Sequence, residues 1–83
     1  MKKPILNSNQ FAVAHAEYST GIVLKLDRTN YLGEGDVFIV FDSEKEAIDY
    51  MLKTVNSETN IECWLEDNLG NHIKTIDKEG ERK

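Results

Sequence analysis

The sequence predicts a small single-domain α+β fold in the order β-β-β-α-β-β. It implies a four- to five-stranded mixed or antiparallel sheet with one helix packed on one face. Three observations carry this reading. Residues 11–16, FAVAHA, alternate large and small side chains at strand period, ahead of a glycine-closed hairpin signal. Residues 44–55 carry an apolar stripe at helical period, behind a serine that stands three residues before a glutamate. Residues 61–76 read as a second hairpin folded about Asn68-Leu69-Gly70.

The first strand is QFAVAHAEY. Its alanines, with Asn7 or Ser8 as a cap, also suit a helix, but strict alternation before a hairpin favours the strand. With Ser19-Thr20-Gly21 as the loop, Tyr18 faces Ile22, Ala16 faces Leu24 and Ala14 faces Leu26. That register gathers alanines and large aliphatics on one face, where a helix can approach closely. The other face receives Phe11, Val13 and Val23 among His15, Glu17, Lys25 and Asp27. Residues 28–36, RTNYLGEGD, form a loop. VFIVF, residues 37–41, is apolar on both faces and reads as a central strand.

Ser43 and Glu46 stand at capping-box spacing, so Asp-Ser-x-x-Glu marks a helix start and not a reactive site. Ala47, Ile48, Met51, Leu52 and Val55 share a stripe; Asp49 and Lys53 are an i, i+4 pair on the opposite side. Asn56 and Ser57 end the helix. In the last hairpin Leu65 is set opposite Ile73 and Trp64 opposite Lys74, which invites a cation–π contact. His72 falls opposite Glu66. Residues 1–8 and 78–83 are expected to be flexible ends.

Composition bounds function. The chain has 83 residues, a formal charge of −5 and one cysteine, Cys63, so no disulfide forms within the chain. No secretory leader and no membrane-spanning run is legible, which together with the lone thiol suggests a cytoplasmic protein. Nucleic acid is disfavoured as a partner, because no basic patch is visible. Lysine-, asparagine- and isoleucine-rich usage with one proline fits a bacterial or phage chain.

No motif demands catalysis, and no cofactor or metal is expected. Cys63, His15 and His72 lack zinc-site spacing. Asp27, Asn30, Glu34 and Asp36 depart from the calcium-loop pattern. Gly33-Glu34-Gly35 precedes a strand and carries carboxylates, so it does not cradle phosphate. Cys63 alternates with Ile61 and Leu65 and should be buried and inert.

Binding is the remaining expectation. One helix covers one sheet face, so a second apolar face holding Phe11, Val13, Val23 and Ile76 would need cover. A second copy, a different protein or the chain's own N-terminal segment, folded back as a helix, would each supply it. The function expected is therefore a non-enzymatic protein–protein interaction domain, homodimeric, of the small acidic inhibitor, immunity or accessory type. Its partner would be a protein with a basic surface. The candidate contact residues are Tyr31, Leu32, Glu34 and Asp36 in the loop, with Trp64 and Lys74 on the sheet. Leu32 has an alternative place, tucked beneath the loop. The competing expectation is a small-ligand binder or minor enzyme with a pocket at a dimer interface, using His15, Glu17 and Lys25.

Overall fold

The computed structural model describes residues 3–82. Its organising element is β1, Phe11–Glu17, with five consecutive buried residues. On one side β1 pairs antiparallel with β4, Ile61–Glu66, which pairs with β5, His72–Asp77, and that with β6, Gly80–Arg82. On its other side β1 pairs with two short strands. Its C-terminal half takes β2, Val23–Leu24, and its N-terminal half takes β3, Ile39–Phe41. β2 and β3 thus form one edge strand, opened by the stretch 25–38. The result is a six-stranded antiparallel sheet with one helix, α1, Glu44–Ser57.

β3 and β4 lie on opposite sides of β1 and both run against it. They are therefore parallel to each other, and α1 is the crossover that carries the chain over β1. The helix starts where the capping spacing puts it: the Glu46 N–H donates to the Ser43 hydroxyl at 3.2 Å. The Glu46 carboxylate turns back to the serine hydroxyl at 3.2 Å. Ala47, Met51, Thr54 and Val55 are its buried residues, while Leu52 stays 44% exposed. The surface ion pair on the helix is Lys45 with Asp49, at 2.9 Å, in place of the expected Asp49–Lys53 pair.

The core lies between α1 and the sheet. Val13, Leu24, Ile61, Cys63, Leu65 and Ile76 meet Ala47, Met51 and Val55 there, with Phe11, Phe41, Ile48, Tyr50 and Ile73 at the margin. This reverses the expected assignment of faces. The helix covers the Phe11–Val13–His15 face, because large side chains are needed to fill the gap between a sheet and a helix. Ala12, Ala14 and Ala16 look the other way, yet each is at most 3% exposed. Side chains this small admit a layer of extended chain. Leu6 borders Ala12, Lys3 reaches Glu66 at 3.1 Å, and Phe38 meets Trp64 edge-on at 6.3 Å. The chain's own N-terminal segment and the returning arm of the stretch 25–38 thus cover the second face.

Four local corrections follow. The first hairpin is one residue off the expected register, with Leu24 opposite His15 and Val23 opposite Ala16. The Glu17 carbonyl accepts from Thr20 at 3.3 Å and Gly21 at 2.7 Å, and Gly21 has φ +76°, so the loop holds four residues. Tyr18 donates its N–H to Asn60 at 2.7 Å instead of facing Ile22. A one-residue slip moves every side chain to the other face, which is how Leu24 enters the core.

VFIVF is an edge and not a central strand. It reads as two-sided because Ile39 and Phe41 share the helix side with Val13 and Phe11, while Phe38 serves the alanine side. In the second hairpin, Glu66 faces His72 as expected, but a bulge beyond it sets Leu65 opposite Lys74 and Trp64 opposite Thr75. Ile73 is the extra residue. Residues 80–82, expected to fray, pair as β6 with Thr75, Ile76 and Asp77. No described helix is long and apolar enough to cross a membrane.

Candidate functional site

The stretch 25–38 straddles the sheet edge. On the helix side it delivers Arg28, a non-glycine residue at positive φ, +72°. The Arg28 guanidinium grips Glu58 at two points, Nε to Oε1 at 3.0 Å and Nη2 to Oε2 at 3.1 Å. Its Nη1 donates to the Leu26 carbonyl at 3.1 Å. Asp27 accepts from the Thr29 N–H at 3.0 Å and hydroxyl at 2.6 Å, which fixes the turn and holds the Asp27 carboxyl below its usual range. The Asn30–Leu24 bridge and the Tyr31 N–H to Val23 carbonyl bond of 2.8 Å then close the chain back against β2.

Beneath Arg28 lies His15, fully buried under α1. Its Nε2 is 2.7 Å from the Tyr50 hydroxyl, with the rings edge to face at 5.6 Å. Its Nδ1 is buried without a hydrogen-bond partner. Burial first, and the Arg28 charge second, lower the His15 pKa from 6.5 to about 4. The imidazole is therefore neutral at physiological pH. Cys63 sits opposite His15 on the same face, and burial pushes its thiol up to about 12. A neutral imidazole and a protonated thiol, both without exposure to solvent, make a structural polar cluster and not an activated nucleophile.

On the other side of the edge the stretch forms an open surface. Leu32 stands at its tip, 88% exposed, and so is not tucked beneath the loop. Tyr31, Glu34 and Asp36 line a cleft of about 530 Å³ together with Lys3, Pro4 and Phe38. Gly33 and Gly35 turn the chain there at φ +99° and +106°. Of the contact residues picked from the sequence, Tyr31, Glu34 and Asp36 therefore line one cleft, while Leu32 stands exposed in the same loop outside that lining.

The other two do not join them or each other. Trp64 lies on the alanine face and donates its Nε1–H to Glu66 at 2.8 Å. Lys74 falls opposite Leu65, on the helix side, and pairs with Glu81 at 2.9 Å. Of the residues assigned to a self-association face, Val13 and Ile76 are wholly buried in the core, Phe11 packs against it, and Val23 is half-buried opposite Ala16. The trio His15, Glu17 and Lys25 does not assemble: Glu17 accepts from Thr20 at 2.7 Å, and the Lys25 stem lies against Gly35. His72 is exposed, with Nε2 2.9 Å from the Thr75 hydroxyl. Among the described residues no three His, Cys, Asp or Glu side chains converge as a metal would require.

The residues that sequence reasoning missed are Arg28, Tyr50, Glu58 and Phe38. Tyr50 offers a faint signal, one turn from Ala47 along the buried stripe. The Arg28–Glu58 contact has no local signature, because its partners are 30 positions apart. No family model matches the chain, and neither the curated proteins nor the solved structures offer a significant match to it.

Proposed function

We propose that the chain is a non-enzymatic protein–protein interaction domain that uses the tip of the stretch 25–38 to engage a basic protein surface. The observation that carries this reading is Leu32. It is 88% exposed on a segment pinned at both ends, by Arg28 to the helix and by Phe38 to Trp64. An apolar side chain offered to solvent from a fixed support suits an anchor, because little ordering entropy is lost when it docks. Glu34 and Asp36 give this anchor an acidic rim, in a chain of net charge −5, which favours a cationic partner. The reading requires no second copy, since the apolar face expected to self-associate is covered by the chain itself.

The test uses the double variant Tyr31→Ala/Asp36→Lys beside a control, Lys45→Ala, on the exposed side of α1. A basic protein captured by the parent and the control from a native lysate should be lost with the double variant, at unchanged melting temperature. Equal capture by all three proteins removes the tip as the contact surface.

A further inference from the structure

We infer that the Arg28–Glu58 pair is a proton-sensitive latch: a proton taken up by His15 takes over the Glu58 charge from Arg28 and frees the turn 25–30 from the end of α1. The device sets how firmly the excursion is held. It stands whether or not the tip binds the partner proposed above.

The seat of His15 is built for a neutral ring. A neutral imidazole carries one N–H and an imidazolium two. The closed structure gives Nε2 a partner, the Tyr50 hydroxyl at 2.7 Å, and gives Nδ1 none. A charged ring would therefore bury an N–H without an acceptor, whichever tautomer the neutral ring adopts.

The groups facing the ring divide by sign. Burial is the main force against a proton on His15; Arg28 adds to it, and Glu58 opposes it. Tyr50 faces the ring from α1 and Cys63 from β4, and burial keeps the Cys63 thiol uncharged. Glu17, two residues along β1, shares the face and accepts from Thr20 at 2.7 Å. From β2 comes Leu24, which carries no charge.

Both Glu58 oxygens are taken by Arg28. The carboxylate that favours an imidazolium is thus occupied by the cation that disfavours it. Arg28 and a protonated His15 compete for one charge, so each weakens the hold of the other. Arg28 keeps its own charge throughout, because Glu58 first and Tyr50 after it raise its guanidinium. The proton on His15 is the variable partner. Once the pair parts, the positive φ of Arg28, +72°, loses its support and the turn relaxes. The Tyr31 N–H bond to Val23 lies beyond the turn and keeps the opening local.

The test follows the His15 ring by ¹³C NMR in the histidine-labelled full chain, with His72→Gln to assign its signal. Arg28→Gln removes the guanidinium and leaves Glu58 free. The ratio of imidazolium to imidazole at about pH 5 should then rise about tenfold over the parent. Adding Glu58→Gln should cancel most of that rise. A site merely loosened by the loss of Arg28 would keep the rise, and that result overturns the inference, as does an unchanged ratio in Arg28→Gln. Amide exchange in the parent gives a second measurement, needed if Arg28→Gln fails to fold. The Lys25 and Arg28 amides bond the Thr29 and Lys25 carbonyls at 2.8 and 2.9 Å. Their opening should be about tenfold greater at about pH 5 than at about pH 7. It should also need less free energy than the global unfolding reported by the Met51 amide. If the two amides exchange only together with Met51, the turn has no opening of its own and the inference fails.

Discussion

Arg28 and Glu58 meet in a two-point ion pair, 3.0 and 3.1 Å, that joins the excursion of the edge strand to the end of the helix. Glu58 is the C-cap of α1, and no basic residue lies in the last turn of that helix. A carboxylate there faces the negative end of the helix dipole. Arg28 supplies from a distant loop the cation that the helix lacks, and its hydrogen bonds hold the Glu58 carboxyl below its usual range. The positive φ of Arg28 is held by the same contact.

Removing either partner should loosen the excursion. Arg28→Ala is expected to cost about 1–2 kcal/mol in urea unfolding, the range for a partly exposed two-point pair. Arg28→Lys should recover less than half of this, since a point charge cannot bond both carboxylate oxygens. A double-mutant cycle with Glu58→Gln should show the two changes to be coupled, and additive costs would mean that the pair does not latch the loop.

Stability should depend on pH through His15. Its folded pKa, about 4, lies below the ordinary value of 6.5. Above 6.5 both folded and unfolded states hold a neutral imidazole, and nothing changes. As pH falls from 6.5 to 4 the unfolded state gains a proton that the folded state refuses, and stability falls by about 3 kcal/mol in all. Glu58, with a lowered folded pKa, adds a further loss as pH falls through that value. His15→Gln should flatten the upper window, measured by urea unfolding at half-unit steps. An imidazole that titrates near 6.5 by NMR in the folded protein would contradict this account.

The glycines of the excursion are not equivalent. Gly33 and Gly35 both have positive φ, +99° and +106°. A Cβ on Gly33 meets nothing within 4 Å, whereas one on Gly35 would stand 2.4 Å from the Lys25 Cδ. Gly33→Ala should therefore cost the backbone strain alone, about 1–2 kcal/mol. Gly35→Ala should cost more by calorimetry, and Lys25→Ala should bring it back to the level of Gly33→Ala. Equal costs for the two glycines without that rescue would show that the Lys25 stem yields freely.

Because its second sheet face is covered from within, the chain should be a monomer. Light scattering behind a sizing column, at tens of micromolar, is expected to return a mass near 9.5 kDa. A mass of twice that value would require an interface elsewhere, and the open edge of β3 would be the first place to look.

Much of the architecture was legible in the sequence because its signals are local. Ser43 and Glu46 start the helix through bonds three residues apart, and the helical stripe from Ala47 to Val55 needs only its own period. The alternation of Phe11, Val13 and His15 with the alanines marked β1 as a strand. Glycine-bearing turns marked both hairpins, and the exposed tip at Leu32 lies in the segment that read as a loop. Alternation, however, says which residues share a face and not which face the helix will cover. That choice rests on volume: the large side chains fill the space under α1, and the alanines admit a thin layer of chain. The slip at Gly21 and the bulge at Ile73 depend on where Tyr18 and Glu66 find partners across the sheet. The shared edge of β2 and β3, the buried His15–Tyr50 pair and the Arg28–Glu58 latch join residues far apart in the chain. Such contacts leave no periodicity to read, and only the folded structure could decide them.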